Sequence, residues 1–86
     1  MEISVDISLY PLQEEFVEPI LAFIDAVEKA DGVDVVRNSL STQVFGDYHL
    51  VMQLLEKEIF NVFDVLPDSV FVLKMVGKNR LGIVDV

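Results

Sequence analysis

Residues 2 to 10, EISVDISLY, alternate in polarity without a break: Ile3, Val5, Ile7 and Leu9 fall on one side, and Glu2, Ser4, Asp6, Ser8 and Tyr10 on the other. A period of two marks an extended strand, because successive side chains leave opposite faces of the pleat. The chain must therefore bury one face of a sheet and find a use for the other, which carries a carboxylate and two hydroxyls. Pro11 closes the run, since it lacks a ladder N–H and holds Tyr10 extended.

The period then changes. From Glu14 to Ala30 the apolar residues Phe16, Ile20, Phe23, Val27 and Ala30 recur at spacings of three and four, with Val17, Leu21 and Ile24 widening the stripe. This predicts an amphipathic helix. Pro19 is tolerated only in a first turn, where its missing N–H needs no partner, so the regular helix is expected to begin between Glu15 and Glu18 and to stop at Asp31-Gly32. VDVVR, residues 33 to 37, reads as a short strand and residues 42 to 45 as another, with Gln43 and Phe45 on one face and Thr42 and Val44 on the other. The linker NSLS between them is short enough for a hairpin. Gly46-Asp47 is expected to end the strand, and Asp47 to cap a helix running from Tyr48 to about Asp64 through Val51, Met52, Leu55, Ile59, Val62 and Phe63. After the turn LPDS, residues 70 to 76 form a strand with Val70, Val72, Lys74 and Val76 on one face and Phe71, Leu73 and Met75 on the other. Both faces are mostly apolar, which predicts either a place inside the sheet or one at an interface. LGIVDV, residues 81 to 86, can add a short edge strand.

The order β-α-β-β-α-β, with right-handed crossovers, predicts an α+β ferredoxin-like sandwich: an antiparallel four-stranded sheet with both helices on one face. At 86 residues the whole chain, 1–86, is expected to be one domain. Its other sheet face is left naked and should be covered by a second copy of the chain or by a ligand.

Charge and composition remove several function classes. The formal net charge of −9 repels phosphate backbones and anionic lipid, and the six Lys and Arg are scattered, so neither nucleic acid nor membrane is an expected partner. The same charge favours a cationic ligand. With no Cys there are no disulfides, thiolate nucleophiles or thiolate metal sites. No basic leader precedes the first strand and no apolar stretch nears the length of a membrane span, so the expected location is cytoplasmic.

Catalysis has little material: His49 is the sole histidine, it falls in the first turn of the second helix, and no serine sits at a nucleophile elbow. The reading is that there is no catalytic residue, no metal site, no bound cofactor and no enzyme. Binding has more to work with. Ser4, Asp6 and Ser8 share one strand face, where a carboxylate can accept from the amino or ring N–H of a heterocycle and a hydroxyl can donate or accept. A solvated or interfacial face accounts for the three equally well, and Phe45 can stack on a flat ligand or fill a core.

Taken together, ISLYPL (residues 7 to 12), Pro19-Ile20, STQVFGDY (residues 41 to 48) followed by Val51-Met52, and SVFVLK (residues 69 to 74) resemble the small thiamine-binding family, whose relatives include tandem-domain proteins that bind thiamine and hydroxymethylpyrimidine. The resemblance spans residues 3 to about 76. It implies a ferredoxin-like fold, single-domain chains that assemble as homodimers or homotetramers through their sheets, and non-enzymatic binding of thiamine or a hydroxymethylpyrimidine, a small cationic heterocycle, in an inter-sheet pocket. It implies that Ser8 and Ser41-Thr42 line that pocket; Asp6 and Asn38 are added on the geometry of the strand face and its adjoining turn, and Phe45 as a stacking ring. Where relatives often have Gly-Met before Ser-Thr, this chain has Ser39-Leu40, and it carries no second domain copy, so a comparable pocket must form across subunits. The alternative is a structural or regulatory homo-oligomer with no small-molecule ligand.

Overall fold

The computed structural model describes residues 1–15 and 17–83. The elements run β1 (Glu2–Pro11), α1 (Val17–Lys29), β2 (Val33–Arg37), β3 (Thr42–Asp47), α2 (Tyr48–Val65) and β4 (Ser69–Val76). Among the described residues they make one four-stranded sheet in the order β2-β3-β1-β4, with every neighbouring pair antiparallel. The expected ferredoxin-like α+β arrangement is therefore the one formed, with both helices on one face. Of the additional edge strand, Leu81 and Gly82 form a turn, while residues 84–86 lie outside the described residues, as does Phe16 of the predicted helical stripe.

The alternation in β1 does what a period of two requires. Ile3, Val5 and Ile7 are buried beside Val44 of β3, Phe23 and Val27 of α1, and Val51, Leu55 and Val62 of α2, in one continuous core. Pro19 occupies the first turn of α1, as its missing N–H demands. At the other end of α1, Lys29 donates to Asp25 at 2.7 Å, and that hydrogen bond and charge hold its ammonium above the ordinary lysine pKa. Asp47 caps α2, its carboxylate accepting from the backbone N–H groups of His49 at 3.0 Å and Leu50 at 3.2 Å.

Three expectations are corrected. Gly46 and Asp47 do not end β3; they continue it, because Ile3 and Glu2 of β1 pair with them on one side and Val33 of β2 pairs with Gly46 on the other. A side chain at Gly46 would lie 3.1 Å from the Gly32 carbonyl oxygen and 3.2 Å from Val33 Cγ1, so glycine is what lets the strand pass this point and enter the helix directly. Among the described residues β4 is an edge strand bordered by β1 alone, so its two apolar faces do not come from a place inside the sheet. On the helix-side face of α2, Tyr48 and Phe63 stay exposed, although Phe63 still meets Phe71 of β4 edge-on at 5.4 Å. The helices cover the middle of the sheet, leaving Leu73 and Met75 of β4 exposed at its edge.

Candidate functional site

Strand register fixes what stands on the uncovered face. Ser4 pairs with Phe45 and Val76, Asp6 with Gln43 and Lys74, Ser8 with Val72, and Val36 with Gln43. Paired residues share a face. Four strands therefore present a row of small polar groups in the middle, flanked by the exposed valines Val36, Val70, Val72 and Val76.

A concavity of about 850 Å³ occupies this face, with Asp6, Ser8, Gln43 and Phe45 along its floor, Asn38 to Ser41 of the hairpin at one rim, and Lys74, Val76 and Arg80 at the other. Where the hairpin rim meets the floor, the Ser41 hydroxyl donates to Asp6 Oδ1 at 2.6 Å, joining two residues 35 positions apart. That contact orients the carboxylate and leaves its second oxygen without a partner among the described residues. A short hydrogen bond to an ionised acceptor is of the stronger kind, so the carboxylate is held in place before any ligand arrives.

Other polar residues are committed to structure. Asn38 Oδ1 accepts from the backbone N–H groups of Leu40 at 3.0 Å and Ser41 at 2.9 Å, and the Asn38 N–H donates to the Ser41 carbonyl at 3.1 Å. Its side chain builds the turn that presents Ser41. Ser4, the third polar residue of the alternating strand, donates its hydroxyl to the Lys78 carbonyl at 2.7 Å and accepts from the Arg80 N–H at 2.8 Å, while Asn79 Nδ2 donates to Glu2 Oε1 at 2.6 Å. These bonds hold residues 78–80 against the end of β1 and set one wall of the concavity.

Five of the six residues singled out in the sequence thus border one space: Asp6, Ser8, Asn38, Ser41 and Phe45. Phe45 is buried, at 5% exposure, yet it lies on the open face and outside the helix-side core, so its ring does not fill that core. Thr42 is not brought to the concavity. It pairs with Ile7 and, like Val44, points to the helix side, where it is buried at 6% exposure. The physical reason is the period of two within β3: Thr42 leaves the sheet on the same side as Val44, while Gln43 and Phe45 take the open side. Among the lining residues outside those six are Gln43, Lys74 and Arg80. Gln43 could have been found from its shared face with Phe45, and Lys74 from its face with Val72 and Val76, but the partnership of Lys74 with Asp6 requires the strand register.

Nothing in the site points to a metal. Among the described residues no group of three or more His, Cys, Asp or Glu is placed to hold one. His49 is exposed on α2 and its ring meets Tyr48 edge-on at 5.3 Å.

The model of the YKOF-related family matches residues 2–70, which takes in β1 through the start of β4 and all of the concavity's floor, while Lys74, Val76 and Arg80 of the far rim lie beyond the match. The chain belongs to this family. Solved structures share the fold of the YKOF-related chain at low identity. A Streptococcus pneumoniae protein is similar with a TM-score of 0.75 at 20% identity, over 96% of this chain and 93% of the other. A Thermotoga maritima protein assigned provisionally to thiamine biosynthesis or salvage is similar with a TM-score of 0.77 at 19% identity, over 91% and 85%. A hypothetical protein from Methanocaldococcus jannascii gives a TM-score of 0.75 at 19% identity, over 91% and 81%. Likeness at this identity shows the fold alone. None of the curated proteins matches the YKOF-related chain in sequence. Among the described residues no helix is long and apolar enough to cross a membrane.

Proposed function

We propose that this protein is a non-enzymatic binding protein for thiamine or a related hydroxymethylpyrimidine, taken up on the open face of the sheet in a pocket completed by a second copy of the chain. The observation that carries the reading is the Ser41–Asp6 hydrogen bond in the lining of the concavity. It holds a carboxylate with one unpartnered oxygen on an otherwise small-polar floor, which suits the exocyclic amino group of an aminopyrimidine. Ser8 and Gln43 supply further donors and acceptors, and Phe45 offers an aromatic edge or face. Membership in the YKOF-related family and the thiamine assignment of the Thermotoga maritima neighbour support the same ligand class. The net charge of −9 favours approach of a cationic thiazolium.

The second copy is argued from Val36, Val70, Val72 and Val76, which share the concavity's face of the sheet at 40 to 45% exposure, Val76 at its rim. An apolar rim around a polar centre is the pattern of a surface that closes on a partner. A homodimer or homotetramer packed through these faces would bury the valines and roof the polar floor. The same valines favour a second reading, a structural or regulatory homo-oligomer whose faces meet with no ligand between them.

Calorimetric titration with thiamine and with hydroxymethylpyrimidine, alongside native mass spectrometry, separates the two. The first reading expects saturable binding of at least one compound at micromolar or lower Kd and an even-numbered assembly that retains it. An assembly that forms but gives no heat with either compound leaves only the second.

A further inference from the structure

Lys74 stands directly across from Asp6 in the β1–β4 register and on the same face. Opposite charges at such a position, with Cβ atoms about 4.5–5.5 Å apart, ordinarily attract each other into contact. Here they do not pair. No carboxylate among the described residues lies within 4.0 Å of the Lys74 ammonium, and the Asp6 carboxylate is turned to the Ser41 hydroxyl instead. The hairpin turn built by Asn38 delivers that hydroxyl, so the fold supplies Asp6 with a partner other than Lys74.

The distribution of charge sharpens the point. The chain has 15 acidic and six basic residues, yet among the described residues the concavity's lining holds a single acid, Asp6, with Lys74 across from it and Arg80 at the same rim. Arg80 is brought there by the Ser4 hydroxyl, which accepts from the Arg80 N–H at 2.8 Å. At physiological salt a charge is screened over about 8 Å, so a group inside the concavity responds to these neighbours before it responds to the distant acidic surface. A cationic heterocycle alone would satisfy Asp6 and leave Lys74 facing a like charge.

We propose that the ligand is the phosphorylated form of the aminoheterocycle, its amino group received by Asp6 and its phosphate by the Lys74 ammonium on the Arg80 side of the concavity. The claim rests on the open face being the ligand site, and it specifies the ligand's second pole. An ammonium on a flexible four-carbon stem serves as a point charge for a phosphate, while the preset Ser41–Asp6 pair reads the amino end. A compound bearing both poles matches both unpaired groups at once, which neither thiamine nor free phosphate does.

The test is calorimetric titration of the full chain, at fixed ionic strength, with thiamine and thiamine monophosphate, with hydroxymethylpyrimidine and its phosphate, and with inorganic phosphate. At least one phosphorylated compound is expected to bind ten-fold or more tightly than its unphosphorylated parent and than inorganic phosphate. Lys74→Gln should erase that preference, Lys74→Arg should retain most of it, and Lys57→Gln on exposed α2 should change nothing. Equal affinity for parent and phosphate, or a preference that survives Lys74→Gln, overturns this inference and leaves the binding function standing. Inorganic phosphate binding as tightly as the phosphorylated heterocycle also overturns it, because the site would then read only the anion. Failure of all four heterocycles to bind overturns both.

Discussion

On the helix side of the sheet Ile3, Val5, Ile7 and Val44 are no more than 3% exposed, whereas Val36, Val70, Val72 and Val76 on the opposite side remain 40 to 45% exposed. The strands are the same and so is the chemistry of these side chains. What differs is cover: two helices floor one face of the four-stranded sheet, and among the described residues no third layer lies on the other. The covered face is apolar apart from Thr42 and the buried Glu58 of α2, and its stability is chiefly a matter of packing. The open face mixes valines with Ser8, Asp6, Gln43 and Lys74, and its organisation comes from directed hydrogen bonds such as Ser41 to Asp6. One face holds the protein together, and the other is available to bind.

The sharpest way to break this contrast is to delete equal kinds of atoms on each side. Leu55→Ala removes a fully buried side chain from the α2 stripe and should cost about 2–5 kcal/mol in urea unfolding. Val72→Ala on the open face should cost under about 0.5 kcal/mol if that face is solvated. A larger penalty at Val72 that grows with protein concentration would mean that a second copy packs the open face, and the two faces would then differ only in what covers them. Next in size is Gly46→Ala. Its added methyl group meets the Gly32 carbonyl oxygen at 3.1 Å, a backbone atom that cannot swing aside, so a loss of about 1–3 kcal/mol is expected by the same measurement.

Ligand-side substitutions should show the reverse pattern. Asp6→Asn keeps the shape of the side chain and removes the charge that the Ser41 hydroxyl and the proposed amino group share. Titration should give roughly ten-fold weaker thiamine or pyrimidine binding, about 1.4 kcal/mol, with the unfolding midpoint nearly unchanged. Unaltered affinity would remove Asp6 from the site.

The covered face was readable because it depends on local periodicities. The alternation of residues 2 to 10 assigns Ile3, Val5 and Ile7 to one side whatever the strand's neighbours are, and Asp47 announces the start of α2 by its chemistry alone. The open face was half readable. Period two places Asp6 with Ser8, and Gln43 with Phe45, but it cannot say that β4 lies beside β1 and sets Lys74 against Asp6, since that pairing joins segments 68 residues apart and depends on the whole topology. Nor does any pattern reveal that Ser4 is occupied by residues 78 and 80, a contact made by a turn that could have gone elsewhere. Thr42 shows the opposite hazard. A motif groups it with Ser41, while the alternation of its own strand groups it with Val44, and the strand geometry prevails.

Ser41 and Thr42 therefore supply the finest comparison, two neighbouring hydroxyls on opposite sides of one sheet. Ser41→Ala deletes the donor to Asp6 and frees the carboxylate to turn toward Lys74. A hydrogen bond of this kind contributes about 0.5–1.5 kcal/mol, so ligand affinity should fall by about two- to ten-fold. Thr42→Val exchanges a buried hydroxyl for a methyl group of nearly the same volume on the helix side. Stability should move by less than about 1.5 kcal/mol, and affinity should stay within error because the residue does not border the concavity. If titration instead shows Thr42→Val weakening the ligand while Ser41→Ala leaves it untouched, the binding groups lie on the helix side of β3, and the division of labour between the two faces fails.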